Sequence, residues 1–201
     1  MNNLLIIDWD DTIFPTTWLL QNNINIQNEE VCEKYKLILS ELDIILFRFL
    51  NNIINKTKIV IVTNASFDWI KKTGRLLPNS FKLIKRNIEI ISARDLYKKK
   101  YPDDAFMWKK IVFEKLLKIY FNKKLNIQNI ISIGDADYEY KALINLNNYD
   151  QLIPNKRILK AIKFKKTPEY KTILEQIELL TNNIIDIIKY EDHLDLLFSD
   201  I

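Results

Sequence analysis

One cysteine and one histidine are all that 201 residues contain of either type. Cys32 alone excludes an intrachain disulfide, which suits a reducing compartment, and its place beside a helical stripe reads as packing. His193 stands far along the chain from every other motif and reads as a surface residue, not a metal ligand. No continuous apolar stretch is long enough to span a bilayer and no basic leader precedes the first strand, so the expectation is a soluble, cytoplasmic protein with no membrane partner. Charge of one sign is also missing. Thirty basic against 26 acidic side chains leave +4, too balanced for a nucleic-acid footprint, although the small excess suits phosphorylated substrates. What is plentiful is apolar surface: at 48% hydrophobic the chain can bury one sizeable core, and its length requires no second domain.

That apolar content falls into two periods. Unbroken runs at 4–8, 59–63, 88–91, 130–134 and, less clearly, 159–164 have the length of buried strands, with helix-period segments between them. The alternation predicts an α/β fold with a doubly wound parallel sheet. Val31, Tyr35, Ile38, Leu42, Ile45, Phe49 and Ile53 form the stripe of one long helix. Further helices are expected at 67–77, stopped by Pro78, and at about 104–121, capped by Asp103 or Asp104. A C-terminal helix is expected over 168–189. Residues at about 13–28 read as a short irregular flap, too small for a lid domain. The tail from 190 to 201 has no helical period and is a docking segment, for its own domain before a partner.

The most informative stretch is Asp8-Trp9-Asp10-Asp11-Thr12, directly after the first apolar run. A buried parallel strand ending in two carboxylates delivers both to the sheet's carboxyl edge, where open α/β folds bind ligands. Thr63 and Asn64 end the second run, Gly134, Asp135 and Glu139 follow the fourth, and Lys109 lies on the helix before it. Carboxylates held within about 4 Å repel by roughly 4 kcal/mol per pair at an effective dielectric near 20. A hard, oxygen-loving cation such as Mg²⁺ answers that repulsion. Between two adjacent lysines, helix phase selects Lys109, in line with Phe113, Leu116 and Tyr120, over Lys110, which is spaced to pair with Glu114.

These segments resemble the four ordered motifs of the haloacid dehalogenase superfamily of phosphotransferases. Asp8-Trp9-Asp10-Asp11-Thr12 is similar to the first and Ile59-Val60-Ile61-Val62-Thr63-Asn64 to the second. Lys109 matches the third, and Ile133-Gly134-Asp135-Ala136-Asp137-Tyr138-Glu139 the fourth. Ile91-Ser92-Ala93-Arg94, Trp108-Lys109 and Ile162-Lys163-Phe164 also resemble a little-characterised capless group from plants and protists. The resemblance implies a three-layer Rossmannoid α/β/α domain over 1–201, with a five-stranded parallel sheet in the order 5-4-1-2-3 and no large cap.

The resemblance also implies a Mg²⁺-dependent phosphatase. Asp8 is the implied nucleophile, forming an aspartyl-phosphate, and Asp10 the general acid and base. Asp8 and Asp135 would ligate Mg²⁺ by side chain and Asp10 by its backbone carbonyl, with Glu139 holding a metal-bound water or ligating directly. Thr63, the Asn64 amide and Lys109 would bind the transferring phosphoryl group. Without a lid, a bulky, macromolecular phosphorylated substrate is favoured, a nucleic-acid end among the options. The competing reading is a weakly catalytic or non-catalytic module that binds a protein or nucleic-acid partner through the same pocket.

The other conspicuous residues have plainer expectations. Trp9, Trp18, Trp69 and Trp108 read as core, Asp137 as a helix cap, Thr12 as a loop brace, and Asp11 as a solvated or loop-bracing side chain. Lys98 to Lys100 and the cluster Lys163, Lys165 and Lys166 read as solvated faces. Arg94, just past the third strand, is placed to reach a substrate.

Overall fold

Strand β1 (Asn3–Ile7) lies inside the sheet because it is apolar on both faces: Leu4, Leu5, Ile6 and Ile7 are all buried. Such a segment finds water on neither side, so helices must cover both, and each of these side chains contributes about 1.5–3 kcal/mol by leaving water. The computed structural model describes residues 2–123, 127–149 and 157–198. In it β1 pairs in parallel with β2 (Lys58–Thr63) on one side and β4 (Asn129–Gly134) on the other. Beyond β2 stands β3 (Glu89–Ser92), and beyond β4 stand β5 (Ile158–Lys163) and β6 (Leu194–Leu197).

One sheet of six strands results, every pairing parallel, in the order β3-β2-β1-β4-β5-β6. The α/β parallel expectation holds at that level. Count and order differ: read from the other edge the sheet runs 6-5-4-1-2-3, where five strands in the order 5-4-1-2-3 were expected. The additional strand comes from the tail. Leu194-Asp195-Leu196-Leu197 is too short and too weakly alternating to announce itself, and at the sheet's edge it is only half-buried or exposed throughout. The tail therefore docks on its own sheet, through β5.

Helices occupy both faces. One face is covered chiefly by α2 (Glu29–Ile53), α4 (Pro78–Asn87) and α8 (Tyr170–Lys189), which pack on Leu5, Ile7, Ile61, Ile131 and Ile133. The other carries α6 (Ala105–Asn122) and α7 (Asp137–Tyr149) over Leu4, Ile6, Val60, Val62 and Ile130. Asn28 caps α2, its side chain accepting from the amides of Glu30 and Val31. Asp104, not Asp103, serves α6, its Oδ1 accepting from the Met107 amide at 2.9 Å.

Three local departures have clear causes. The helix expected over 67–77 is α3 (Phe67–Gly74), and Pro78 starts the next helix instead of merely stopping the last, since proline fits a first helical turn. The flap contains a short helix, α1 (Thr16–Gln21), and α5 (Ala93–Tyr97) follows β3 directly. The side chain of Cys32 and residues 199–201 lie outside the described residues. Among the described residues no helix is long and apolar enough to cross a membrane.

Two buried polar groups lock helices in place. Asp43 on α2 accepts from the amides of Asn79 (2.9 Å) and Ser80 (2.8 Å) and from Asn79 Nδ2 (2.9 Å), so one helix caps the start of another. Lys160, fully buried on β5, donates to the carbonyls of Ile187 (2.7 Å) and Ile188 (3.2 Å), satisfying acceptors that the end of α8 leaves open.

Candidate functional site

The order of strands reverses direction at β1, with β2 to one side and β4 to the other, and it is at the carboxyl ends beside such a reversal that open α/β sheets form their ligand crevice. Asp8 is the first residue past β1. Its amide donates to Ile133 O at 2.9 Å, which fixes the backbone, and its side chain is buried. The chain then turns sharply, Trp9 O accepting from the amides of Ile13 and Phe14. Asp11 occupies the turn at φ 53°, a left-handed conformation that aspartate tolerates better than most residues.

Trp9 leaves the site for the core, stacking on Phe14 and donating from Nε1 to Thr73 Oγ1 at 3.0 Å. Asp10 remains at the crevice, half-buried. Its Oδ1 accepts from Trp69 Nε1 at 2.9 Å and from the hydroxyl of Thr16. Asp11 is buried, not solvated, and braces the loop by accepting from the amide (2.8 Å) and hydroxyl of Thr17. Burial raises its carboxyl above the ordinary value. Thr12 is fully buried with its hydroxyl unpartnered, so no hydrogen bond supports the expected brace.

Helix α6 presents Lys109 inward on the face shared with Phe113 and Leu116, while Lys110 sits 3.9 Å from Glu114 nearer the surface. Lys109 Nζ donates to Asp8 Oδ1 at 2.7 Å and to Glu139 Oε1. Glu139, in the first turns of α7, folds back over the end of β4. A Cβ on Gly134 would stand 2.3 Å from Glu139 Cγ, so only glycine leaves room for that side chain. Asp135 lies between them in sequence, partly exposed.

At the end of β2, Thr63 is fully buried and its Oγ1 accepts from the Ala65 amide at 2.9 Å, which leaves its own proton to donate. Asn64 Nδ2 donates to Ala105 O at 3.2 Å, while its Oδ1 is buried without a partner.

The electrostatics are lopsided. Burial pushes the Asp8 carboxyl well above its ordinary range; Lys109 opposes this, and Glu139, Asp135 and Asp10 reinforce it. Burial, then the charges of Glu139 and Asp11, push Asp135 up to about 7. Burial works against the charge on Lys109, yet Asp8 and Glu139 outweigh it and hold the ammonium protonated well above the usual lysine value. One ammonium cannot neutralise these carboxylates, and Glu139 Oε2 is buried with no hydrogen-bond partner. Charge deficit, hard oxygen donors and an orphaned carboxylate oxygen all fit a cation such as Mg²⁺. In the arrangement observed, with Glu139 drawn to Lys109, no three acidic, histidine or cysteine side chains among the described residues are grouped tightly enough to hold a metal.

The crevice thus joins Asp8, Lys109 and Glu139 by direct contact and sets Asp10 and Asp135 within their field. Thr63 stands one strand away. Asp137 stands at the start of α7, where a cap was expected, and pairs with Lys163, which is therefore not merely solvated. Of the tryptophans, Trp9 and Trp108 are buried, and Trp18 packs on Tyr35 and Tyr170. Trp69 packs against the core as expected and also reaches the site through its Nε1 bond to Asp10. Nothing in its spacing distinguishes it from a core residue, and Thr16 and Thr17 carried no signal beyond their place in the flap. His193 is exposed, with Nδ1 accepting from the Leu159 amide at 3.1 Å. No family model and no curated protein matches this chain.

Proposed function

We propose that the protein is a Mg²⁺-dependent phosphatase of the haloacid dehalogenase type, a Rossmannoid α/β/α domain with an open, capless site. The observation that carries the reading is the buried contact between Asp8 Oδ1 and Lys109 Nζ at 2.7 Å, at the carboxyl end of β1, with Glu139 on the same ammonium. Lys109 engages Oδ1 and leaves Oδ2 of Asp8 to attack phosphorus. The P–O bond to the leaving group breaks as that aspartyl-phosphate forms, and Asp10 gives the leaving oxygen its proton. Asp10 then takes a proton from water as it attacks phosphorus, and Asp8 is released.

Thr16 and Trp69 both bind Oδ1 of Asp10, so the travelling proton belongs on Oδ2. Thr63 and the Asn64 amide face the transferring oxygens, and Lys109 stays cationic throughout to offset their charge. Asp8, Asp135, Glu139 and the Asp10 carbonyl are the groups that would hold Mg²⁺, whose chemistry is to neutralise phosphoryl oxygens. An open crevice leaves exclusion of water to the substrate, which favours a bulky phosphomonoester.

The test is hydrolysis of an aryl phosphate with Mg²⁺. Asp8→Asn, with the fold retained by circular dichroism, should lower the rate by about 10³-fold or more. An undiminished rate excludes Asp8 as nucleophile. A native chain that neither turns over substrate nor binds beryllium fluoride with Mg²⁺ is a partner-binding module instead.

A further inference from the structure

A second cavity opens on the same edge of the sheet, beyond Asn64. It has a volume of about 540 Å³ and is lined by Ser66, Arg94, Asp95, Lys98, Lys99 and Pro102. Three cations face one carboxylate there. No ion pair engages Arg94, Lys98 or Lys99 among the described residues, and all three are exposed. Asp95 is already committed, its Oδ2 accepting from the Phe67 amide at 2.8 Å.

The wall between this cavity and the catalytic crevice is the short loop after β2. That loop is held rigidly: the Ser92 hydroxyl donates to Ala65 O at 2.6 Å and Asp95 holds Phe67, so the end of β3 fixes the loop that carries Thr63 and Asn64. A fixed wall gives a fixed separation. The cavity lies beyond the end of β3, which is itself two strand spacings, roughly 10 Å, from β1, so the two sites stand at least about that far apart.

We infer that this basic cavity binds a second phosphate of the substrate, so that the preferred substrates are phosphomonoesters carrying another phosphate about 10 Å or more from the one removed. The inference rests on the phosphatase reading for which phosphate is removed, but not for the binding itself. Arg94 supplies a planar fork for two phosphate oxygens, and Lys98, one helical turn on, supplies a mobile point charge. Such a phosphate could belong to a bisphosphorylated small molecule or to the backbone of a 5′-phosphorylated oligonucleotide.

Calorimetric titration of the full chain as Asp8→Asn, with Mg²⁺ present, compares a hexose bisphosphate, the matching hexose monophosphate and a short 5′-phosphorylated oligonucleotide. At least one of the two-phosphate probes should bind about tenfold more tightly than the monophosphate, and the tighter of the two names the source. Adding Arg94→Ser and Lys98→Ser, exposed positions whose loss leaves the core intact, should bring that ratio close to one, and Arg94→Lys should keep part of it. Equal binding of all three probes, no binding of either two-phosphate probe, or a preference that survives the double substitution overturns the inference. Aryl phosphate turnover by the native chain reports separately on the phosphatase reading. A chain with the preference but no turnover keeps this inference and loses that one.

Discussion

The indole of Trp69 donates to Asp10 Oδ1 at 2.9 Å, and the hydroxyl of Thr16 donates to the same oxygen. Asp10 is thereby oriented by α1 and α3 together, although it belongs to neither. As a positioning residue for the proposed acid and base, Trp69 is testable by Trp69→Phe, which keeps most of the ring. The expected result is a fall in kcat of about tenfold with little change in KM, since one hydrogen bond is lost and binding is not. Steady-state kinetics at several pH values decide it. An unaltered kcat removes the orienting role.

Lys109→Met should leave Asp8 and Glu139 buried without their counter-charge. Breaking a buried pair by removing one partner costs about 3–5 kcal/mol, because the charges that remain are uncompensated. Urea unfolding measures the loss. Mg²⁺ should restore part of it in the variant, through the carboxylates the ammonium no longer holds.

Stability without metal should fall as pH rises from about 4 toward 7. The folded chain holds the Asp135 proton up to about 7, against an ordinary value of 3.8, so between those values the native state binds more protons than the unfolded one. Its contribution is complete below the lower value and lost as pH passes the upper one, on the order of 2–3 kcal/mol after allowance for partial solvation. Asp8 acts in the same direction. Asp135→Asn should flatten the profile, raise stability at pH 8 in chelator, and reduce the increase in Tm that Mg²⁺ gives the native protein. Thermal melts across pH, with and without Mg²⁺, check all three.

Asp43→Ala should destabilise the fold by about 2–3 kcal/mol. It removes a buried carboxylate that satisfies three donors at the start of α4, and orphaned amides are costly. The denaturation midpoint should drop while the slope stays constant.

The parts of this architecture that could be read from sequence share one property: their signal is local and strong. Strands buried on both faces appear as unbroken apolar runs, so the ends bearing Asp8, Thr63 and Asp135 were legible, and helix phase separated Lys109 from Lys110. The sixth strand was not, because four edge residues with a charge among them look like any tail. The restart of a helix at Pro78 was hidden by reading proline only as a stop. Trp69 illustrates a deeper limit. Whether the N–H of a core-packed indole also meets a carboxylate depends on how α3 is docked against the turn after β1, and no sequence period records that.

The bond from the Asp8 amide to Ile133 O has a consequence for how the protein comes into being. An all-parallel sheet gives β1 no partner nearby in sequence, and one of its two flanks is supplied only when β4 has been synthesised. The acidic loop leaves the ribosome early and waits, with neither its lysine nor its neighbouring strands in place. A partly made chain therefore carries an unseated acidic loop and an apolar strand open to wrong partners, and the proposed activity should emerge only after Glu139 has been made and the sheet has closed around β1.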